Sequence, residues 1–326
     1  MIVIDCVSPR YLAVYPKGSL LRKDGSLGSI VRFVPSDAFY PLPDEHGEVP
    51  AIYQVPCGKC LACRQNKARA WSIRLQMEMQ YYKPSEVCFL TLTYDDSHLP
   101  LELRHDHVQR FLHSIRCRLD RDYGVKLRYF MCGEYGSRRN TMRPHYHLIL
   151  FGFDFFVSSK LVGRSKSGLA LYSNQIISDY WPYGYAEFGL AGVGSAMYTS
   201  QYAQKKLILR EDYGDLTPPY IQMSRRPGIG SRYIEDHKDQ ILRDRGVYMS
   251  GHFIPIDRYT IRYLFSHEYL SEKDKALIRL MYEERALDAD RLWRVTHDGD
   301  KQSQAVFAAQ RALLNLRAAA LVKGGV

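Results

Sequence analysis

The run PHYHLILFG, at residues 144–152, constrains the fold of this chain most strongly. Its apolar residues favour a β-strand, in which side chains i and i+2 point to the same face of a sheet. His145 and His147 therefore project side by side, while Tyr146 between them faces the other way. Two imidazoles at this separation form a clamp for a divalent metal ion. The alternative is a chance pair, since the chain holds 11 histidines.

A carboxylate at the end of the preceding predicted strand completes the candidate metal site. Residues 126–134, KLRYFMCGE, predict a strand that ends at Glu134. A hairpin through residues 135–143 would bring Glu134 close to the two histidines. Two imidazoles and one carboxylate leave coordination positions open for a substrate oxygen. The same ligand set serves non-haem iron oxygenases, so that class of enzyme stays open as an alternative.

The order of the predicted elements favours an α+β fold, with an antiparallel sheet and helices packed on one face of it. Apolar runs predict strands, and apolar residues at helical spacing predict helices. The predicted strands are residues 86–94, 126–134, 144–152 and 184–189, and the predicted helices are residues 64–82, 105–121, 172–181 and 194–209.

The positive charge of the chain lies in its middle segment. The 326 residues include 45 Lys and Arg against 35 Asp and Glu, a net charge of +10. Residues 57–210 alone hold 22 basic and 12 acidic residues, which accounts for the whole excess. We therefore predict a loop- and strand-rich segment at 1–56, a polyanion-binding module at 57–210 and a mostly helical region at 211–326.

The sequence predicts an intracellular protein without a membrane span. No apolar run approaches the roughly 18 residues that a span needs. The first residues, MIVIDCVSPRYL, lack the basic lead and the small-residue cleavage site of a signal peptide. The 7 cysteines are an odd number. In a reducing compartment we expect them to be thiols or metal ligands rather than a disulfide framework.

Three of the cysteines, Cys57, Cys60 and Cys63, form a CxxCxxC cluster. Three thiolates at this spacing suit a soft ion, most commonly zinc. Cys6 is the best candidate for a fourth ligand, because it would fasten the loop-rich N-terminal segment to the core. A structural zinc site and a group of free buried thiols both stay open.

Residues 198–206, YTSQYAQKK, place two tyrosines and a lysine on one face of a predicted helix. Tyr198 and Tyr202 are four residues apart, and Lys205 follows three residues later. A phenol with a pKa of about 10 is a poor nucleophile at neutral pH. A nearby ammonium group and a metal-bound phosphate would both favour its attack on a phosphodiester. Because the chain contains 25 tyrosines, an ordinary amphipathic helix is the alternative.

Basic residues near these motifs are candidates for contacts with DNA phosphates. Arg138, Arg139 and Arg143 lie on the turn that leads into the histidine strand, and Lys206 follows Lys205 on the tyrosine helix. Solvated surface charge is the alternative for each of them.

The order of these motifs resembles that of the HUH single-strand endonucleases that start rolling-circle replication. The chain carries FLTLTY at 89–94, then GEYG at 133–136, RPHYHLILFG and YxxxYxxK. More narrowly, it is similar to the replication initiation proteins of small single-stranded DNA phages, the gokushovirus-type microviruses (Microviridae). VPCGKCLAC at 55–63 and SRRPGIGSRY at 224–233 belong to this similarity, which covers about residues 1–260.

This resemblance implies a role for each motif. It places FLTLTY on the strand beside the active site. It makes Tyr198 and Tyr202 the two nucleophilic tyrosines and Lys205 the lysine that follows the nucleophile. Tyr202 has the lysine at the family's spacing, so we favour it for the first cut. The metal ligands that the resemblance implies are Glu134, His145 and His147.

The resemblance also implies an activity. With Mg²⁺ or Mn²⁺, such a protein nicks single-stranded or melted origin DNA, and a tyrosine retains the 5′-phosphate. The free 3′-hydroxyl primes a host polymerase, and the second tyrosine later closes the circle. We expect this to take place in the cytoplasm of the bacterial host, with the host replication machinery as partner. No glycine-rich loop ending in Lys-Ser/Thr indicates a helicase domain. A non-catalytic zinc-dependent nucleic-acid-binding protein stays open as the other alternative.

Overall fold

The computed structural model describes residues 10–15, 20–21, 27–28, 31–34, 51–58, 60–136, 142–165, 167–205, 213–278 and 280. The chain divides into two compact units. One is built on Leu61–Tyr263, and the other on the described parts of Asp5–Cys60 and Leu264–Val326. The division into three parts at residues 56 and 210 stays a prediction.

Short strands make up the described part of Asp5–Cys60. They are β1 (Arg10–Val14), β2 (Leu20–Leu21), β3 (Leu27–Gly28), β4 (Val31–Val34) and β5 (Ala51–Val55). β1 lies between β4 and β5 and is antiparallel to both, while β2 pairs with β3. In the other part of this unit, residues 272–278 are helical.

A seven-stranded sheet forms the centre of the Leu61–Tyr263 unit. Its strands are β6 (Val87–Tyr94), β7 (Arg128–Tyr135), β8 (Pro144–Phe151), β9 (Lys160–Arg164), β10 (Ala170–Ser173), β11 (Gly184–Leu190) and β12 (Tyr220–Met223). A separate hairpin consists of β13 (Gly246–Met249) and β14 (His252–Pro255). The helices are α1 (Leu61–Met79), α2 (His105–Tyr123), α3 (Gln175–Ser178), α4 (Val193–Lys205), α5 (Ser231–Asp236), α6 (Lys238–Asp244) and α7 (Arg258–Ser266). Among the described helices, none is long and apolar enough to cross a membrane.

The order of strands in the sheet is β12-β7-β8-β6-β11-β10-β9, and every neighbouring pair is antiparallel. The predicted fold class, α+β with an antiparallel sheet, is therefore confirmed. β7 and β8 pair with each other as the predicted hairpin. β8 lies inside the sheet and is buried on both faces, which explains its nearly continuous apolar sequence.

Helices cover both faces of the sheet, and the expectation that they pack on one face is wrong. On one face, Leu148 of β8 packs with Phe111 of α2 in a common core. On the other face, Ile149 of β8 shares a core with Leu75 of α1 and Ala196 of α4. Successive residues of β8 are apolar, so both faces of the strand need cover from water.

The other differences from the predicted elements concern short strands. The predicted helix at 172–181 is reduced to α3, because residues 170–173 form β10. No predicted element corresponds to β9, whose five residues are all exposed. β12 joins the edge of the sheet beside β7, although its residues lie in the region predicted to be mostly helical. Strands of four or five residues carry too little periodicity to be predicted from sequence.

Candidate metal and nucleophile site

β7 and β8 bring the three predicted metal ligands together. Antiparallel pairing sets Glu134 opposite His145, and His147 follows on the same face of β8. Glu134 Oε1 lies 3.0 Å from His145 Nε2 and 3.3 Å from His147 Nε2. The ligand atoms of all three residues lie within 4.8 Å of one another. This spacing suits a single ion held between them.

The other ring nitrogen of each histidine has a partner outside the ligand set. His145 Nδ1 lies 3.0 Å from the carbonyl oxygen of Arg143, which can only accept a hydrogen bond. Nδ1 of His145 therefore carries a proton and donates it. His147 Nδ1 lies 3.1 Å from Thr91 Oγ1. Partners of this kind orient an imidazole so that Nε2 faces a metal.

The arrangement needs a positive charge between its ligands. A neutral His145 that donates from Nδ1 turns the lone pair of Nε2 toward the carboxylate of Glu134. Two acceptors in that position repel each other unless a proton or a metal cation lies between them. Glu134 is only 3% exposed, so water does little to stabilise its charge. Two nitrogen donors and one carboxylate therefore fit a divalent cation here.

α4 covers the face of the sheet that carries the histidines, and Tyr198 lies beside them. The Tyr198 ring lies 5.4 Å from the His147 ring, edge to face, and 5.9 Å from the Phe89 ring. Phe89 in turn stacks on His147 at 5.3 Å. Tyr198 is 44% exposed, so its ring borders the candidate metal ligands and is still open to solvent.

Small buried side chains fix the position of α4. Ala196, Thr199 and Ser200 are at most 1% exposed. Thr199 Oγ1 donates to the carbonyl oxygen of Ser195 at 2.7 Å, and Ser200 Oγ donates to that of Met197 at 2.8 Å. Each buried hydroxyl is thus satisfied within the helix, as burial requires. This packing holds Tyr198 at the edge of the site.

Part of the predicted site lies outside the described structure. The backbone of α4 continues to residue 205, so position 202 lies one helical turn beyond Tyr198. The residues whose side chains lie outside the described part are Cys6, Arg138, Arg139, Tyr202, Lys205 and Lys206. Their roles stay predictions.

Tyr146, between the two histidines, anchors β8 on the opposite face of the sheet. Its hydroxyl donates to the carbonyl oxygen of Arg104 at 2.9 Å and accepts from the Arg104 amide at 2.8 Å. Burial raises the pKa of Tyr146 above its usual value, so the phenol stays neutral. Tyr146 therefore positions β8 against the start of α2 and is no candidate for the nucleophile.

Arg143, one of the candidate DNA contacts, joins the turn before β8 to the end of β6. Its Nη1 lies 2.6 Å from Asp96 Oδ1, and its Nη2 donates to the carbonyl oxygen of Tyr94 at 3.0 Å. These bonds hold the guanidinium at the end of the sheet that carries the histidines. Its contact with phosphate stays a prediction.

The cysteine cluster has the geometry of a metal-binding turn. The sulfur atoms of Cys57, Cys60 and Cys63 lie within 4.8 Å of one another. The amide of Cys60 donates to Cys57 Sγ at 3.3 Å, which favours the thiolate form of Cys57. Gly58 supplies the positive φ, +74°, that this tight turn uses.

Thr91 is a site residue that the sequence analysis did not single out. It lies on β6 opposite His147 and holds the Nδ1 side of that ring. The signal was present in FLTLTY, where Thr91 and Thr93 alternate with buried leucines. Two hydroxyls on one face of an otherwise apolar inner strand indicate a polar neighbour on the next strand.

Comparison with known proteins identifies the family. The family model for the replication-associated protein ORF2 matches residues 87–207, which run from β6 past the end of α4. The replication-associated protein VP4 of Bdellovibrio phage phiMH2K is 34% identical over 215 residues, or 64% of this chain and 67% of that protein. The chain therefore belongs to the family of phage replication-associated proteins.

Two further relatives extend this similarity to other phages. The replication-associated protein ORF2 of Spiroplasma virus 4 is 32% identical over 204 residues, 60% of this chain and 62% of that protein. The replication-associated protein ORF4 of Chlamydia phage 1 is 26% identical over 215 residues, 64% and 52% of the two chains. This chain spans less than two thirds of either relative's length. The resemblance to microvirus replication proteins is confirmed. No solved structure shows a significant similarity to the chain.

Proposed function

We propose that this protein starts rolling-circle replication by nicking single-stranded or locally melted origin DNA with a tyrosine nucleophile. The observation that supports this most is the position of Tyr198. Its solvent-exposed ring borders His147, which shares one sheet face with His145 and Glu134. A nucleophile next to a metal site with open coordination positions is what phosphodiester transfer requires.

The three ligands would hold Mg²⁺ or Mn²⁺. When bound, the ion supplies Lewis-acid polarisation of the scissile phosphate. Glu134 contributes the negative charge that retains a cation, while His145 and His147 present Nε2 because their Nδ1 atoms are engaged elsewhere. Arg138, Arg139, Arg143 and Lys206 would neutralise flanking phosphates.

The covalent step exchanges one phosphoester bond for another. The phenolic oxygen bonds to phosphorus, and the bond between phosphorus and the 3′-oxygen breaks. The phenol loses one proton, and the departing 3′-hydroxyl gains one. The 5′-phosphate stays on the tyrosine, so the bond energy is retained for rejoining and no nucleotide cofactor is needed.

Two tyrosines on one helix allow the reaction to repeat. We assign the first cut to Tyr202, because Lys205 follows it at a spacing that favours phenolate character. Tyr198 then attacks the regenerated junction, and the free 3′-hydroxyl resolves the first linkage to close a circle. The partners are origin DNA and the host replication machinery, in the cytoplasm of the bacterial host.

A covalent adduct tests this function. The full chain is incubated with single-stranded phage origin DNA and Mn²⁺, and the products are separated on a denaturing gel. We expect an adduct whose DNA-linked peptide lies within residues 194–209. Tyr202→Phe should lose the initial cut or shift it to Tyr198 at a reduced rate, and Tyr198→Phe should cut but fail to close circles. Phe keeps the ring and its packing while removing the nucleophile.

Controls separate this function from its alternatives. The double Phe variant should form no adduct but bind DNA normally. Tyr248→Phe is the matched control, because Tyr248 is an exposed tyrosine on β13, outside the large sheet. A DNA-linked peptide elsewhere in the chain would show that the nucleophiles are wrong. Undiminished cutting by the double Phe variant would exclude a tyrosine mechanism, and absence of any cutting would favour a non-catalytic DNA-binding protein.

The cysteine cluster supports a second, structural metal. Three sulfur atoms within 4.8 Å fit a tetrahedral zinc ion that takes Cys57, Cys60 and Cys63, with Cys6 as the fourth ligand. Elemental analysis should show about one tightly held zinc per chain, and Cys60→Ser should lose it and become protease-sensitive. A stable wild-type protein without zinc would establish the free-thiol alternative.

A further inference from the structure

β9 and β10 form a two-stranded ribbon that ends the large sheet. β9 is the last strand in the sheet order, and β10 pairs with β11 only at Tyr172 and Phe188. All five residues of β9 are exposed. Most of the ribbon therefore extends beyond the body of the sheet, and a bulge at Val162 adds to its twist.

The base of this ribbon is rigid. Asn174, which follows β10, is only 4% exposed. Its Nδ2 donates to the carbonyl oxygens of Phe155 at 2.9 Å and Val157 at 3.1 Å, and its Oδ1 accepts from the Ile176 amide at 2.8 Å. One buried side chain thus ties the segment before β9 to the segment after β10. The ribbon is held in a fixed direction.

The tip of the ribbon is also ordered. The amide of Ser165 donates to the carbonyl oxygen of Leu169 at 2.7 Å, and the amide of Gly168 donates back to that of Ser165 at 2.9 Å. Arg164 Nη1 donates to the carbonyl oxygen of Gly168 at 2.9 Å. Gly168 has a φ of +82°, a conformation that glycine adopts without strain. The ribbon is therefore a formed arm and not a frayed loop.

The arm carries only positive charge. No acidic residue lies in the sequence between Asp154 and Asp179, whereas this stretch holds Lys160, Arg164 and Lys166. Lys160 and Arg164 lie at the two ends of β9. Because acidic residues are otherwise mixed with basic ones along the chain, their absence here gives the arm an unscreened positive potential.

Exposed apolar side chains on the same arm indicate a contact surface. Leu161, Val162 and Leu169 are 62%, 49% and 65% exposed. Pairing of β9 with the β9 of a second copy would set Lys160 and Arg164 of both copies close together, which like charges disfavour. A polyanion meets no such repulsion, and apolar side chains make favourable contacts with thymine methyl groups in the DNA major groove.

We propose that the β9–β10 ribbon enters the major groove of duplex DNA that flanks the cut strand. A major groove about 12 Å wide admits a two-stranded ribbon. Four strand spacings of about 4.8 Å separate β9 from β8, so the duplex contact lies about 19 Å from the histidines across the sheet. At about 3.4 Å per base pair, this distance corresponds to five or six base pairs. The position of this duplex relative to the cut rests on the proposed nicking function.

Fluorescence anisotropy with two DNA probes tests the proposal. The full chain is titrated, without divalent metal, into a labelled duplex of about 20 base pairs, two helical turns. Lys160→Ala/Arg164→Ala should flatten the slope of log affinity against log salt by about 1.8, from about 0.9 per lost phosphate contact. At 0.1 M salt this slope corresponds to roughly 60-fold weaker binding than wild type. Cutting of single-stranded origin DNA with Mn²⁺ should stay at the wild-type rate.

A charge-matched control and the pattern of outcomes decide the matter. Arg232→Ala/Arg243→Ala removes two similarly exposed charges from α5 and α6, beyond the opposite edge strand, and should leave duplex affinity near wild type. Equal loss in both double variants, or none in the ribbon variant, would overturn the proposal. Loss of self-association with unchanged duplex affinity would assign the ribbon to a second copy and overturn it too. If wild type fails to cut but the ribbon variant alone loses duplex binding, the ribbon contact stands and the proposed nicking function fails.

Discussion

Thr91 and His147 face each other across the β6–β8 pair, with Thr91 Oγ1 3.1 Å from His147 Nδ1. Because Nδ1 has this partner, the ring presents Nε2 toward Glu134. The ring is also held by Phe89, which stacks on it at 5.3 Å. The strand motif FLTLTY therefore orients a metal ligand rather than contributing one.

We expect Thr91→Val to weaken metal binding by about 10- to 100-fold, the usual effect of losing a partner that orients a ligating histidine. Valine keeps the branched shape of threonine but cannot bond to Nδ1. Calorimetric titration with Mn²⁺ measures the change. Thr93→Val is the matched control, because Thr93 lies on the same strand and its hydroxyl bonds weakly to the Tyr185 carbonyl oxygen at 3.4 Å. The same loss in both variants would show that the Thr91 hydroxyl has no special role.

The histidine pair and its carboxylate were predictable because their relationship is local. A period of two along β8 sets His145 and His147 on one face, and a hairpin to the neighbouring strand sets Glu134 opposite them. The partnership of Thr91 with His147 was not predictable, since residues 56 apart meet through strand register. Register between strands that are not adjacent in sequence is fixed by the whole sheet.

The fold class was predictable from the apolar runs, but the placement of helices was not. Leu148 and Ile149 are both buried, and this shows that a continuous apolar strand has two faces to cover. The sequence does not tell which helix covers which face, because α1, α2 and α4 all present apolar residues. The ribbon strand β9 has no buried face, so no hydrophobic pattern marks it.

A buried ion pair that fixes the loop after β12 gives the second prediction. Arg128 Nε lies 2.5 Å from Glu78 Oε1, and the Arg128 guanidinium donates to the carbonyl oxygens of Pro227 at 2.9 Å and Gly228 at 3.1 Å. Glu78 also accepts from the Gly230 amide at 2.7 Å. Glu78→Gln should lower the free energy of unfolding by about 3 kcal/mol or more, because it leaves the charge of Arg128 buried without its counterion. Urea unfolding measures this.

The control for that pair is an exposed one. The Lys126 side chain is 80% exposed and pairs with Asp120 at the surface. Lys126→Ala should change the free energy of unfolding by less than about 1 kcal/mol, since water and salt screen an exposed pair. If Glu78→Gln is as mild as Lys126→Ala, the buried pair does not stabilise the fold.

Metal binding should itself stabilise the protein. At a Mn²⁺ concentration of about 100 times the dissociation constant, a single site adds about 2.7 kcal/mol to the free energy of unfolding. His145→Ala should abolish this gain, whereas His113→Ala, at an exposed position on α2, should keep it. Unfolding curves with and without Mn²⁺ give the difference for each variant. An undiminished gain in His145→Ala would place the bound ion elsewhere.

His107 gives the chain a sensitivity to acid. Its Nδ1 lies 3.0 Å from the Tyr94 hydroxyl, and its ring stacks on Tyr183 at 4.0 Å. Burial lowers the pKa of His107 below its usual 6.5, more than the neighbouring carboxylate of Asp106 raises it. The unfolded chain therefore binds a proton more readily at this residue than the folded chain does. Its contribution to stability is complete above about pH 6.5 and is lost as the pH falls from there toward the lowered pKa.

His107→Gln removes the titrating group and keeps a polar side chain that can bond to Tyr94. The free energy of unfolding from urea titrations at pH 8 and pH 5 should fall less for this variant than for wild type. The comparison with wild type is needed because the chain holds 11 histidines, and others also titrate in this range. The sign follows from the lowered pKa, because a histidine whose pKa rose on folding would instead make wild type gain stability on acidification. Parallel losses in the two proteins between pH 8 and pH 5 would show that His107 is not held neutral by the fold.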